Sequence, residues 1–480
     1  MNYKLIFSTV LKVIKIEAAL MIVPLLTALF YKEDCFYAFL ITMAVSFTVA
    51  HVLQKFIKDE DKHFYSKDGL ITVSLTWIVV SLIGAVPFVL SGEVTSFIDA
   101  FFETVSGFTT TGASILESVE GMSKGLLMWR SFSHFIGGMG VLVFIMAITS
   151  KTTDRPIHIL KAEMPGPIVS KLVPRAKDTA KILYLIYIGL TLILTVFLLA
   201  GGMDLFESLT HAFGTAGTGG FGIKDDSIVS YSPYIQWVLA IFMLLYGVNF
   251  NLYYLILLKK IGVCFKSTEL KTYFIIVLSA ITLITINIYP IYNSFSSAIR
   301  ASTFQTSAII TTTGFSSADF NTWPTLSKIV LLTLAFIGGC AGSTAGGLKV
   351  SRVILAFKKI KAELTKLLHP NTVTVIKLEG EKVDESVSNG IGTYFTIYFV
   401  CLIAITILLS FNGLDFETTV SAVISCFNNI GPAFGSAGPM ANYSVFNGFS
   451  KIVLSITMLL GRLEIYPLLL LMIPTTWKKR

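Results

Sequence analysis

The chain has 480 residues, of which 54% are hydrophobic and only 14% charged, and its mean hydropathy is +0.75. Soluble domains carry about 25% charged residues, so the composition excludes a soluble protein and predicts an all-α integral membrane protein. The net charge of +8 does not call for a nucleic acid partner, because a cationic excess follows from membrane topology and from contact with anionic membrane lipid.

Ten apolar stretches are long enough, or nearly so, to cross a membrane as helices. The first is too long for a signal peptide and no small-residue cleavage site follows it, so we expect it to remain as a helix. Lys and Arg collect in alternate connecting segments, which predicts that both termini are cytoplasmic. The stretches are residues 9–30, 36–54, 70–90, 131–149, 182–200, 235–258, 272–290, 329–348, 391–410 and 452–473.

The cysteines and histidines do not predict a metal or redox site. The five cysteines are odd in number and lie in or beside apolar stretches, so we expect small buried hydrophobic side chains. No His-x-x-x-His pair occurs among the six histidines. The cysteines are Cys35, Cys264, Cys340, Cys401 and Cys426.

Four polar segments centred on glycine interrupt the apolar sequence at intervals of roughly one hundred residues. We call them the glycine segments: residues 109–112 (Thr-Thr-Thr-Gly), 216–219 (Ala-Gly-Thr-Gly), 311–314 (Thr-Thr-Thr-Gly) and 428–431 (Asn-Asn-Ile-Gly). Each follows an apolar stretch of about a dozen residues, too short to cross a membrane. Non-helical backbone at membrane depth survives only where it is buried in protein or lines a wet cavity, so the recurrence predicts re-entrant loops around one pore.

The recurrence divides the chain into five parts. These are a two-helix extension (residues 1–68), pore repeat 1 (69–155), pore repeat 2 with its preceding cytoplasmic linker (156–265), pore repeat 3 (266–365) and pore repeat 4 with its preceding cytoplasmic linker (366–480).

The residue types of the glycine segments suit a cation. Rings of backbone carbonyls replace an ion's hydration shell, and glycine permits the dihedral angles that turn successive carbonyls the same way. Acids also open three of the four short stretches, where they either attract cations to the outer vestibule or stabilise the helix dipole. These acids are Asp99, Glu103, Asp204, Glu207, Asp415 and Glu417; the third stretch has Arg300 instead, so we expect an asymmetric vestibule.

Residues 217–222 match the dinucleotide-binding pattern G-x-G-x-x-G. No strand precedes them and a membrane span follows, so nucleotide binding is not predicted there.

Five glycines interrupt the second span of the third repeat, and each costs a helix about 1 kcal/mol relative to alanine. They predict an intramembrane loop at residues 338–347: Gly338, Gly339, Gly342, Gly346 and Gly347. No Gly-Lys-Ser/Thr follows, so this is not a phosphate-binding loop.

Arg462 is expected in the middle of the last span, about 23 Å of helix from either end. Its nearest acid, Glu464, faces another side of the helix. Such a charge is expected to be functional, or to pair with an acid or carbonyls of another repeat.

As a set, these features resemble the TrkH-type members of the Trk/Ktr/HKT superfamily of potassium uptake proteins, over essentially the full length. The resemblance rests on residues 106–112, 211–220, 311–316 and 428–432, with residues 163–167 (Glu-Met-Pro-Gly-Pro) and 338–347. The implied fold has about ten transmembrane helices: four span–pore helix–span repeats around a pseudo-fourfold central pore, plus two extra N-terminal helices.

The resemblance implies a selectivity filter of carbonyls and hydroxyls that binds potassium, with no organic cofactor in this chain. In plant relatives, serine in place of the first filter glycine accompanies sodium preference, and here all four glycines are present. The implied filter residues are Thr110, Thr111, Gly112, Gly217, Thr218, Gly219, Thr312, Thr313, Gly314, Asn429, Ile430 and Gly431.

The resemblance also implies that the intramembrane loop and Arg462 gate the pore. The basic segments 151–181 and 349–388 contact lipid headgroups or, as the resemblance implies, a ring of cytosolic nucleotide-binding regulatory subunits (TrkA-like). A homodimer in the bacterial inner membrane is implied as well. A sodium- or proton-coupled symporter using the same pore is the alternative, and an intramembrane enzyme would need a nucleophile–base pair or metal constellation that the sequence lacks.

Overall fold

The computed structural model describes residues 3–57, 66–140, 176–372 and 374–477. Most of these residues are helical, which confirms the predicted all-α fold. Within these ranges the only strands are Lys377–Leu378 and Glu381–Lys382, which pair antiparallel as a short hairpin. Residues 163–167 and most of the basic segment 151–181 lie outside the described residues.

The N-terminal extension forms helices Tyr3–Leu20, Ile22–Tyr31 and Cys35–Phe56. Four repeats follow, each with a long first helix, a short helix and a second helix. The first helices are Ser66–Leu90, Ala176–Ala200, Thr268–Tyr292 and Glu385–Ser410. The short helices 1 to 4 are Phe97–Phe108, Leu205–Gly217, Phe295–Ile310 and Phe416–Asn428, and the second helices begin with Lys124–Gly138, Pro233–Tyr246, Thr325–Ile337 and Gly448–Arg462.

Further helices complete the repeats. Phe250–Leu257 and Ile261–Cys264 follow the second helix of repeat 2, Val350–Leu368 follows that of repeat 3, and Tyr466–Met472 follows that of repeat 4. Single 3-10 turns occur at Phe320–Thr322, Gly435–Ala437, Tyr443–Val445 and Pro474–Trp477.

Six helical stretches of the described chain are long and apolar enough to cross a membrane, or seven if one bent pair counts as a span. They comprise the N-terminal stretches Tyr3–Tyr31 and Cys35–Phe56 and the first helix of every repeat. The second helices fall short because they are interrupted, so the count of ten spans stays a prediction.

Each short helix begins at a residue whose side chain accepts a hydrogen bond from the backbone N–H three residues on, which satisfies one of the unpaired donors of the first turn. The capping residues are Ser96, Asp204, Ser294 and Asp415. The helices have 12 to 16 residues, and their C-terminal halves are buried among the repeats.

All four second helices stop partway, whereas the sequence predicts an interruption only in the third repeat. In repeat 3 the helix ends at Ile337 and resumes at Val350, as the five glycines predict. In repeat 1 the helix ends at Gly138, and the chain turns through Gly140 at a φ of 81°.

The continuous spans predicted for residues 235–258 and 452–473 are wrong. The first breaks after Tyr246 and bends by 91°, with Asn249 capping the helix that follows. The second ends at Arg462, and the chain passes through Glu464 and Ile465 at positive φ before a new helix starts at Tyr466. Arg462 therefore lies at a helix end and not in the middle of a span.

Apolar packing joins the N-terminal extension mainly to repeats 1 and 4, and separate clusters form the cores of repeats 2 and 3. The five cysteines belong to this apolar interior: Cys35, Cys264, Cys340 and Cys426 are buried, Cys401 is half-buried, and all are free thiols.

Candidate ion-conduction site

The chain leaves each short helix through the same backbone turn. Its second residue has a φ of 54° to 56° in every repeat, although three of the four are threonines. A β-branched residue in the left-handed region is a genuine outlier that costs about 1–3 kcal/mol. The same strained backbone conformation occurs in all four turns, which indicates a common function. The second residues are Thr110, Thr218, Thr312 and Asn429, and the fourth, also at positive φ, are Gly112, Gly220, Gly314 and Gly431.

The same hydrogen bond closes each turn. The N–H of the third residue donates to the carbonyl five residues back, at 2.9, 2.8, 2.8 and 3.0 Å in repeats 1 to 4. We call residues 109–112, 217–220, 311–314 and 428–431 the ring segments 1 to 4. The structural register of ring segment 2 is one residue later than the glycine spacing indicates, so Gly220 matches Gly112 and Gly219 matches Thr111.

The four ring segments contact one another in a closed cycle. A Cβ added to Gly112 would overlap the carbonyl oxygen of Gly219, and one added to Gly220 would overlap that of Thr313. Likewise, a Cβ on Gly314 would overlap the oxygen of Ile430, and one on Gly431 would lie 2.7 Å from that of Thr111. In every case the fourth-position glycine meets the third-position carbonyl of the next segment. Only glycine permits this approach, and the cycle of segments 1, 2, 3 and 4 closes on itself.

One cavity of about 170 Å³ opens beyond this ring and is lined by the fourth-position glycine of every segment. Gly112, Gly220, Gly314 and Gly431 thus face one space. Its charged lining residues are Glu117, Asp225, Arg130 and Lys224. These charged residues come from repeats 1 and 2, so the polar lining of the cavity is unequal between repeats.

The acids predicted for the outer vestibule lie elsewhere; in the described chain none of the six lines this cavity. Asp204 and Asp415 cap short helices, so the helix-dipole alternative describes them. Donation from Thr418 lowers the pKa of the Asp415 carboxyl below its ordinary value. The other four have these partners: Asp99 with Lys451 at 2.7 Å, Glu207 with the Tyr231 hydroxyl at 3.3 Å, Glu417 with Lys328 at 3.1 Å, and Glu103 with Arg130 at 2.8 Å.

The Glu103–Arg130 ion pair is fully buried. Glu103 also accepts from the backbone N–H of Ile115 at 3.0 Å, and Arg130 donates to the carbonyl of Gly222 at 3.2 Å. The pair therefore joins the chain that leaves ring segment 1 to the chain that leaves ring segment 2. Sequence patterns give no signal for it, because the partners come from different helices.

Side chains behind the ring differ between repeats. In segments 1 and 3 the first and third threonines share a hydroxyl contact of 2.8 Å. In segment 2 both positions are glycine, and His134 fills the space, with its Nδ1 2.8 Å from the carbonyl of Gly107. In segment 4, Asn428 accepts from the Tyr398 hydroxyl at 3.0 Å. Each segment is buttressed, but by different chemistry.

The intramembrane loop touches the side of the ring away from the cavity. The backbone N–H of Gly346 donates to the Thr312 hydroxyl at 2.6 Å, and a Cβ on Gly346 would overlap the carbonyl of Asn428. Of the predicted gate glycines, Gly338 and Gly347 pack against each other, Gly339 lies near Gly247, and Gly342 lies beside Asn249. The loop therefore lies beneath ring segments 3 and 4.

Arg462 lies on the same side. Its guanidinium donates to the Thr110 hydroxyl and to the carbonyl of Thr344, both at 3.2 Å, and to the carbonyl of Gly138 at 2.8 Å. These carbonyls belong to repeats 1 and 3. Arg462 therefore pairs with carbonyls of other repeats, which is the second of the two roles expected for it from the sequence. Glu464 bonds instead to Arg352 at 3.0 Å, in agreement with the i,i+2 argument.

A helical membrane protein in which four re-entrant turns close a ring of backbone carbonyls has the architecture of an ion-conducting transporter. Comparison with known sequences agrees: the TrkH family, described as cation transport proteins, matches residues 36–479. The chain belongs to this family. It is a multi-pass cation transport protein and not an enzyme.

Individual relatives cover the whole molecule. The chain is 35% identical to the Trk system potassium uptake protein TrkH of Escherichia coli K12 over 100% of both chains. It is 32% identical to the protein of the same name from Halomonas elongata over 96% of both. The crystal structure of the potassium transporter TrkH from Vibrio parahaemolyticus matches with a TM-score of 0.90 at 31% identity, covering 100% of both chains.

Proposed function

We propose that this protein is a channel-like potassium uptake protein of the bacterial inner membrane, with both termini in the cytoplasm. The closed ring of four equivalent turns carries the proposal. Ions would enter the cavity lined by the four glycines and exchange water for carbonyl and hydroxyl oxygens of the ring segments. The filter residues are those predicted from sequence, with Gly220 added because its backbone matches that of Gly112.

Potassium is proposed because the named relatives are potassium uptake proteins and because all four ring glycines are present. Replacing Gly112 by Ser tests the filter. A Cβ at this position overlaps the carbonyl of Gly219, and the positive φ adds strain, so potassium-over-sodium selectivity should fall. Unchanged selectivity would remove Gly112 from the filter.

The intramembrane loop and Arg462 are proposed as the gate. Both contact second-position side chains of the ring from the side away from the cavity, and a guanidinium held there opposes cation passage. Conduction then requires the loop and Arg462 to move aside. The interrupted second helices permit such motion, because a broken helix has fewer backbone bonds to lose.

Regulation is proposed to come from cytosolic nucleotide-binding subunits acting on a homodimer in contact with membrane lipid. The basic helix Val350–Leu368 supports this, because it starts at the end of the loop and exposes Lys361 and Lys366 together with Phe357 and Leu367. A partner that moves this helix would pull directly on the gate.

Ion flux into proteoliposomes separates a channel from a coupled symporter. Purified protein is reconstituted, and potassium entry is followed with and without sodium, and with and without a proton gradient. A channel gives flux that follows the potassium electrochemical gradient under all conditions. Flux that stops without sodium or without a proton gradient would reject the channel mechanism in favour of coupling.

A further inference from the structure

The intramembrane loop and the helix that follows it are held by one buried carboxylate. Glu269 Oε1 accepts hydrogen bonds from the backbone N–H of Ala341, at 2.7 Å, and of Ser351, at 3.2 Å. Ala341 lies in the loop, and Ser351 lies in the first turn of helix Val350–Leu368. Glu269 is only 7% exposed. A carboxylate bonded to amides at a helix N-terminus forms strong, charge-assisted bonds, so Glu269 fixes the loop to the helix that carries it.

A second carboxylate holds the turn that bears Glu269. Glu379 accepts from the backbone N–H of Glu269 at 2.9 Å, from that of Thr268 at 3.1 Å and from the Ser267 hydroxyl at 3.1 Å. It therefore caps helix Thr268–Tyr292 from a distant part of the chain. Glu379 itself is exposed, at the turn of the hairpin formed by Lys377–Leu378 and Glu381–Lys382.

The hairpin is also attached to the helix beyond the loop. Lys358, on helix Val350–Leu368, donates to the carbonyl of Lys377 at 2.7 Å. Two successive carboxylates thus connect an exposed hairpin to a buried loop. Displacing the hairpin would uncap the turn that carries Glu269 and so loosen its bonds to the loop and to helix Val350–Leu368.

We infer that Glu269 and Glu379 are positioning residues that hold the intramembrane loop in its compact conformation. The inference rests on the proposed gate for its effect on flux, but the loop conformation is measurable without flux. Cys340 supplies the probe, because it lies in the loop and is 1% exposed. Its alkylation by N-ethylmaleimide requires the loop to open.

The experiment uses the full-length protein with the other four cysteines replaced by Ser, reconstituted in proteoliposomes. Cys340 alkylation is timed by mass spectrometry, and potassium flux is measured on the same preparations. We expect Glu269→Ala to accelerate alkylation about tenfold, and Glu379→Ala to accelerate it less, because each loses charge-assisted bonds. Glu269→Gln should restore part of the protection, because its amide oxygen still accepts from both backbone groups. Glu381→Ala is the matched control, an exposed acid of the same hairpin that should leave the rate unchanged.

The outcomes separate this inference from the proposed gate. Unchanged alkylation in both Glu269→Ala and Glu379→Ala would overturn the inference. Equal rates for Glu379→Ala and Glu381→Ala would overturn the role of the hairpin. If alkylation accelerates as expected and flux does not change, the positioning role holds and the loop is not the gate. If Glu269→Ala does not yield folded protein, Glu269→Gln and Glu379→Ala decide the question by the same measurements.

Discussion

The adjacent glycines of ring segment 2 allow a sharp test of the ring, because alanine at each would meet a different kind of neighbour. A Cβ on Gly219 would lie 2.2 Å from His134 Nδ1, and its three nearest atoms all belong to the His134 ring. A Cβ on Gly220 would lie 1.9 Å from the carbonyl oxygen of Thr313, and its nearest atoms are all backbone. The first overlap is removed by deleting a side chain, whereas the second is not.

The size of the effect follows from these distances. Real Cβ atoms essentially never lie closer than 3.0 Å to another heavy atom, so Gly220→Ala must move a carbonyl of ring segment 3 by about 1 Å. Binding sites tolerate displacements of only about 0.5 Å. The φ of 74° at Gly220 adds about 1–2 kcal/mol for any residue with a Cβ. With about 1–3 kcal/mol for overpacking, we expect potassium flux to fall at least about tenfold.

Potassium flux and potassium-over-sodium selectivity in proteoliposomes test this. Gly219→Ala and Gly220→Ala should both impair conduction, and adding His134→Ala should return Gly219→Ala to the level of His134→Ala alone. Gly220→Ala should not be rescued. Gly121→Ala is the control, because a Cβ there has no atom within 4 Å. Rescue of Gly220→Ala by His134→Ala, or normal selectivity in Gly220→Ala alone, would refute the ring geometry.

Three further predictions follow from the contacts of the site. Arg462→Ala removes the guanidinium beneath the ring and should raise basal potassium flux into proteoliposomes; a lower or unchanged flux would contradict its gating role. Glu103→Gln leaves a buried guanidinium without its counter-charge and should cost about 3–5 kcal/mol, seen as a lower thermal aggregation midpoint. The matched change Glu417→Gln, at a half-exposed pair, should cost only about 0–1 kcal/mol, and equal shifts would contradict the burial argument. Thr312→Gly and Thr218→Gly relieve the same backbone strain, but only the Thr312 hydroxyl contacts the loop, so only Thr312→Gly should speed Cys340 alkylation.

The ring can be predicted from the sequence because the same pattern recurs four times. Four polar glycine segments, each after a stretch too short to cross a membrane, predict four re-entrant turns. In the structure the four turns contact one another in a closed cycle. The register of segment 2 is not predictable in this way, because Gly219 and Gly220 are adjacent and both lack a side chain. It is decided by which carbonyl lies against which glycine, a tertiary contact with no local signature.

The interrupted helices show the same limit. Five glycines within residues 338–347 predict one break, but no such cluster marks the others, and the break in repeat 2 has only the single residue Gly247. At Gly247 the carbonyl accepts from the N–H of Cys340 at 2.9 Å, so the loop of repeat 3 stabilises the break in repeat 2. The acids of the short helices are ambiguous in sequence for another reason. Cation attraction and helix capping require the same residues at the same positions, and only the contacts in the structure distinguish these two roles.

The ring is fourfold in its backbone, but in the described chain only two of its second-position side chains hydrogen-bond to the proposed gate. Thr110 accepts from Arg462 and Thr312 accepts from Gly346, whereas the one partner of the Thr218 hydroxyl among the described residues is the carbonyl of Gly217, at 2.6 Å. Segments 1 and 3 are diagonal members of the cycle.

Arg462 also donates to the carbonyl of Thr344, two residues before Gly346, so a continuous chain of contacts crosses beneath the ring from one diagonal segment to the other. Each hydrogen bond in such a chain contributes about 1 kcal/mol, and removing one lowers the cost of releasing the rest. The loop and Arg462 should therefore open together. A substitution at either end of this series of contacts, whether at Arg462 or at Thr312, should increase the exposure of Cys340 in the loop.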